Sequence, residues 1–180
     1  MALVQITPPS EEPVTLTALK AHLRVTGSSE DTLISGLGIA ARRTLEARYA
    51  LGMVSQDWRV TADIPVASDI QLPLSPVAAV TSVSITHNGT TTVLGTADYD
   101  VEIGHMGSIR LKSTVSAETI SIEFIVGWTD ASSVPEDIKL AIKMLVAHYF
   151  EHREAVDSET FHAGPESIAA LMAPYKRVRL

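Results

Sequence analysis

Leu45-Glu46-Ala47-Arg48-Tyr49-Ala50-Leu51-Gly52-Met53-Val54-Ser55-Gln56-Asp57-Trp58-Arg59-Val60-Thr61-Ala62 is where the chain changes its period. Before Gly52, apolar residues return every three or four positions, as on one face of a helix. After Ser55 they alternate with polar ones, as on a half-buried strand. Upstream, Leu33, Leu37, Ala41, Leu45 and Tyr49 form the apolar stripe of a helix predicted over about Glu30 to Leu51. Ser28 or Ser29 is its expected cap, Glu30 and Asp31 suit the positive end of its dipole, and Gly52 fits the left-handed position that ends it. Before it, Thr15 caps a short helix through Arg24 with Leu16, Leu19 and Leu23 on one face, and Gly27-Ser28-Ser29 stops it. Pro8, Pro9 and Pro13 with Ser10, Glu11 and Glu12 read as an extended leader, which places the start of order near Val14.

Downstream of Ser55 the alternation predicts strands over Gln56 to Ala62, Asp69 to Leu74, Val80 to His87, Thr91 to Leu94, Tyr99 to Ile103, Ser108 to Lys112 and Thr119 to Val126. Asn88-Gly89 is the pair that accepts positive φ at both centres of a type I′ turn, so His87-Asn88-Gly89-Thr90 predicts a hairpin. Pro73 and Pro76 cannot donate to a ladder, so the second strand should be short or at an edge. The helical period then returns. Ser133-Val134-Pro135-Glu136 has the spacing of a capping box, and Ile138, Ala141, Ile142, Leu145 and Tyr149 line a helix to about Glu154, with Leu140, Met144 and Ala147 widening its apolar face. Gly164-Pro165-Glu166 opens a short helix containing Ile168, Leu171 and Met172, which Pro174 ends.

Composition closes off several chemistries. The 180 residues suffice for one domain with a real core. The chain is 46% hydrophobic but only 19% charged, which leaves apolar surface for subunit contacts. Its formal charge of −7 works against coating DNA. With no cysteine there are no disulfides, thiolate metal sites or cysteine nucleophiles. No signal peptide is visible at Met1 to Pro9, and no apolar run reaches the roughly 20 residues of a membrane span, so no membrane partner is expected.

Enzymatic motifs are few. His148-Tyr149-Phe150-Glu151-His152 matches H-x-x-E-H, the pattern in which two histidines one turn apart bind zinc and the glutamate polarises water. It is the basis of an alternative reading as a zinc-dependent hydrolase. A third ligand would have to come from Glu154, Asp157, Glu159 or Glu166. No Gly-x-Ser-x-Gly elbow exists, and Gly104-His105-Met106-Gly107 lacks the Lys-Ser/Thr of a phosphate-binding loop. Trp58 and Trp128 are assigned to core packing. No cofactor is expected.

Two features point to association. Gly36 and Gly38 each cost up to about 1 kcal/mol inside a helix, which close approach of another helix or subunit would offset. A surface glycine without a role is the other reading. Tyr175-Lys176-Arg177-Val178-Arg179-Leu180 places three cations among apolar residues at the end of an acidic chain. Such a segment can dock in extended form on an acidic, pocketed partner.

Pro13-Val14-Thr15-Leu16, Lys20-Ala21-His22-Leu23-Arg24-Val25, Glu30-Asp31-Thr32-Leu33-Ile34, Val134-Pro135-Glu136-Asp137-Ile138-Lys139 and Leu145-Val146-Ala147-His148-Tyr149-Phe150-Glu151 together resemble the head–tail connector, or adaptor, proteins of tailed double-stranded DNA phages, prophages and gene transfer agents. The ending Leu171-Met172-Ala173-Pro174-Tyr175-Lys176-Arg177-Val178-Arg179-Leu180 is similar to the family's terminus, with Lys176 where Arg is more usual. Gln56-Asp57-Trp58-Arg59-Val60, Leu72-Pro73 and Ala97-Asp98-Tyr99 are family-like pieces of the β segment. His152 stands where the family often has Asn, which argues that the zinc-like pattern is accidental.

The resemblance implies a non-enzymatic virion structural protein: twelve copies in a ring, attached to the portal protein, receiving the next neck or tail-completion protein below, with DNA passing through the lumen. It makes residues 175–180 the portal-docking tail and Gly36 and Gly38 the subunit-packing candidates. A stand-alone, non-viral binding domain is a further alternative. The expected fold is α+β: one domain over 1–180, with a helical core at 13–52 and 133–174 and an inserted antiparallel β lobe at 53–130.

Overall fold

The Thr15 hydroxyl accepts the Ala18 amide at 3.2 Å and so starts α1 (Leu16–Leu23) in the computed structural model, which describes residues 1–63, 69–112, 117–152 and 166–176. Arg24 ends the helix in the left-handed conformation. Lys20 then fixes the turn, donating to the Gly27 carbonyl and to the Asp31 carboxylate at the head of α2 (Asp31–Tyr49). α3 (Glu136–Glu151) and α4 (Glu166–Met172) complete the helices, and α4 runs into a 3-10 turn, Ala173–Tyr175, that contains Pro174. α2 packs on α3, α1 on both, and α4 on α3. Ile34, Ile138, Ala141, Ile142, Val146 and Met172 lie at or below 1% exposure where these helices meet. Replacing one such isoleucine with alanine costs about 2–5 kcal/mol.

Four local expectations about the helices are corrected. The buried stripe of α2 is Ile34, Gly38, Ala41, Arg42, Leu45 and Tyr49, while Leu33 is exposed. Arg42 is carried on that face because Glu12 and Glu46 neutralise it. Neither Ser28 nor Ser29 caps α2, whose first turn follows Glu30 without a side-chain cap. Ala50, at φ 54°, takes the left-handed position expected of Gly52, and the chain turns early enough to bury Leu51 and Met53. The capping box at Ser133 does not form. Pro135 stands at the cap, and Ser133 instead bonds Asp130 through both its amide and its hydroxyl, at 2.8 and 2.9 Å.

The β structure comprises β1 (Ala2–Thr7), β2 (Gln56–Asp63), β3 (Asp69–Gln71), β4 (Val77–His87), β5 (Thr90–Val93), β6 (Tyr99–Glu102), β7 (Ser108–Leu111) and β8 (Thr119–Val126). Five strands form one antiparallel sheet in the order β1-β2-β8-β4-β5, and three form another in the order β3-β7-β6. Along β8, Ile120, Ile122, Phe124 and Val126 are buried and alternate with less buried residues, the period-two pattern of a sheet with one packed face. The two sheets are tied where Val77 exchanges backbone hydrogen bonds with Gly104, at 2.7 and 2.9 Å, and where the Leu72 amide reaches the Gly107 carbonyl at 2.9 Å. The predicted hairpin is present, with Asn88 at φ 48°, Gly89 at φ 73° and His87 paired to Thr90. β3 is three residues long and lies at an edge, as Pro73 and Pro76 require.

The expected start of order near Val14 is wrong: β1 pairs with β2 from Ala2 to Thr7. Pro8 and Pro9 end that strand, but nothing within residues 2–7 opposes extended pairing. The chain divides into two compact units, one of Met1–Ser10 with Val54–Thr129 and the other of Glu11–Met53 with Asp130–Leu180.

Candidate interaction surfaces

Tyr175 is half-buried at the end of the 3-10 turn, and burial, reinforced by the negative charge of Asp137, raises the pKa of its hydroxyl. Lys176 follows, exposed and in an extended conformation. The remaining tail candidates, Arg177, Val178, Arg179 and Leu180, lie outside the described residues. Beside the turn, Asp137, Leu140 and Met144 of α3 and Ala170, Leu171 and Pro174 line an open groove that is apolar with one acidic end.

The two glycines of α2 have different surroundings. A Cβ on Gly38 would lie 2.9 Å from Leu19 Cδ1, so this glycine admits α1 within the same chain. Gly36 is exposed, and a Cβ there would meet nothing within 4 Å. Leu33 and Ile39 are exposed on the same helix, and Leu140 on α3.

His148 and His152 stack with ring centroids 4.5 Å apart, and His152 Nδ1 lies 3.0 Å from the His148 carbonyl oxygen. Among the described residues no three His, Cys, Asp or Glu side chains gather as a metal site. Glu154, Asp157 and Glu159 fall outside those residues, and Glu166 opens α4. Trp58 and Trp128, assigned to the core, are only half-buried, and the Trp58 indole N–H donates to Gln56 Oε1 at 3.2 Å. Among the described residues no helix is long and apolar enough to cross a membrane.

Sequence reasoning missed two polar centres. Arg42, 5% exposed, donates to both oxygens of Glu12 at 2.7 and 3.0 Å and to Glu46 at 2.7 Å, while the other Glu46 oxygen accepts the Met53 amide. Burial by itself lowers the pKa of the guanidinium; the bonds to Glu12 and the charges of both carboxylates outweigh it and leave it raised. The i, i+4 spacing of Arg42 and Glu46 was the available signal. Asp130 collects the Ser132 hydroxyl and the amide and hydroxyl of Ser133, which hold its carboxyl down at about 2.

Among the described residues the chain forms a four-helix unit with exposed aliphatic positions and an antiparallel β unit in which β1 and β5 are the outer strands of the larger sheet. The model of the head completion protein family matches residues 14–177. The chain belongs to that family, and its role is that of a structural head–tail connector. A search of curated proteins finds no match. Among solved structures, a chain from the neck of an empty GTA particle computed with C6 symmetry is 24% identical with a TM-score of 0.84. A chain from the virion of a native gene transfer agent particle is 23% identical with a TM-score of 0.83, and one from the neck of a native GTA particle computed with C12 symmetry is 24% identical with a TM-score of 0.76. Each comparison covers 100% of this chain and 97% of the other. At these identities the likeness is one of fold.

Proposed function

We propose that this chain is a non-enzymatic adaptor of which twelve copies form a ring beneath the portal protein, joining the DNA-filled head to the next neck or tail-completion protein. Double-stranded DNA passes through the lumen without tight binding. The ring belongs to the head–tail junction of the particle and is assembled in the cytoplasm of the bacterial host. The observation that carries this reading is the full-length likeness to neck chains of particles computed with C6 and C12 symmetry, joined to membership of the head completion family.

In this reading residues 13–52 and 133–174 are the body of the subunit, 53–130 its lobe and 175–180 the tail that docks on the portal. Tyr175 and Leu180 fill apolar pockets, and Lys176, Arg177 and Arg179 meet acidic groups, with Val178 between them. Gly36 and Gly38 remain the subunit-packing candidates. Gly36 suits the role better, because its open face leaves room for a neighbouring copy whereas Gly38 already serves α1. Deleting residues 175–180 should leave the far-ultraviolet spectrum unchanged and abolish co-sedimentation with portal particles. Retained co-sedimentation by the truncated chain removes the docking role.

A further inference from the structure

The outer strands of the five-stranded sheet, β1 (Ala2-Leu3-Val4-Gln5-Ile6-Thr7) and β5 (Thr90-Thr91-Thr92-Val93), carry no charged residue. The three-stranded sheet of the same unit is different: its outer strands hold Asp69 on β3 and Asp100 and Glu102 on β6. In the large sheet the charges Asp57, Arg59, Asp63 and Glu123 sit on the inner strands β2 and β8. Open edges are templates for another strand, and proteins commonly guard them with charge. One sheet here is guarded in that way and the other is bare. Every residue of β1 and β5 is exposed, Val4 at 56% and Val93 at 67%.

Direction selects the occupant. Each neighbouring pair in the sheet is antiparallel, so with five strands the first and the last run the same way. β5 of one copy can therefore join β1 of the next in parallel, head to tail, and the same contact repeats around a closed ring. Pairing β1 with β1 would instead be isologous and stop at a dimer. A strand from a different protein would occupy one bare edge per copy, whereas a second copy of this chain occupies both.

We propose that the β1 edge of each copy receives the β5 edge of its neighbour through main-chain hydrogen bonds, so that the large sheets of adjacent subunits become continuous. This rests on the ring reading above and adds the surface that closes it. The family model matches residues 14–177, so β1 lies before the matched segment.

The absence of native cysteine makes a clean test possible. Val4→Cys is combined in turn with Thr91→Cys, Thr92→Cys and Val93→Cys, and assembled rings are treated with a short thiol-to-thiol cross-linker. At least one pair should give a covalent ladder up to the full ring on a denaturing gel, and no single variant should give a ladder. Dimers from Val4→Cys alone, or rings that yield no ladder with any pair, overturn the proposal and leave the ring reading standing. Failure of the wild-type chain to form rings, even on portal particles, overturns both. As an independent check, Val4→Lys with Ile6→Lys should keep the wild-type circular dichroism spectrum and reduce ring assembly at least tenfold. Assembly equal to wild type by a folded double variant overturns the proposal.

Discussion

At the scale of single residues, the glycines separate backbone need from packing need. Gly127 combines φ 101° with a backbone approach in which a Cβ would lie 2.7 Å from the Val54 carbonyl carbon and oxygen. Nothing flexible is available to give way. Gly127→Ala should cost at least about 2 kcal/mol, read from urea unfolding. Gly36 is the reverse case: the helix alone sets its cost, so Gly36→Ala should stabilise the isolated chain by about 0.5–1 kcal/mol. Gly38→Ala gains the same propensity but pushes on Leu19, itself only 2% exposed, and should stabilise less than Gly36→Ala. Equal effects at 36 and 38 would show that α1 yields freely. Arg42 teaches the complementary lesson, since a guanidinium is buried among core residues once two carboxylates surround it.

At the scale of elements, the start of α3 is organised by Asp130 rather than by Ser133. Its carboxyl is held at about 2, below the ordinary 3.8, because three donors favour the ionised form. A folded-state pKa below the unfolded one contributes stability that is present above about 3.8 and is lost as the pH falls toward about 2. Asp130→Asn should therefore remove the part of the acid unfolding limb that falls in this window and leave the neutral-to-alkaline side unchanged. An unaltered acid limb in the variant would count against the assignment. The elements with strong periodicity were legible in advance: α1 through its Thr15 cap, β8 through strict alternation, and the β4–β5 hairpin through Asn88-Gly89. β1 was not, because six residues before a proline cluster carry no turn signal of their own and become a strand only when β2 offers its edge. The α2 stripe was read correctly at Ala41, Leu45 and Tyr49, but its first two turns were placed one residue early, at Leu33 and Leu37 instead of Ile34 and Gly38, for a related reason. Leucines mark the apolar face in a sequence, but in this molecule Leu33 is left to solvent while a paired Arg42 goes inside.

At the scale of the whole molecule, a net charge of −7 per copy makes any ring of these chains strongly acidic. If duplex DNA passes through such a ring, as proposed above, that net charge works against tight binding. Affinity for double-stranded DNA at physiological salt should be weaker than micromolar in a filter-binding or anisotropy titration, and submicromolar binding would contradict a passive channel. Period, turn chemistry and composition were enough to establish an α+β chain with β2 to β8 between two helical segments, because those signals are local and each of these elements satisfies them within a few residues. The family likeness was legible too, since its motifs lie on the helices and strands that local patterning specifies. Folding supplied what depends on partners distant in the chain. Glu12 finds Arg42 thirty residues away, and Gln5 donates to Gln56 across fifty-one. The same dependence on distant neighbours left charges on the edges of one sheet and none on those of the other, because an edge exists only after strands from remote segments have taken their order.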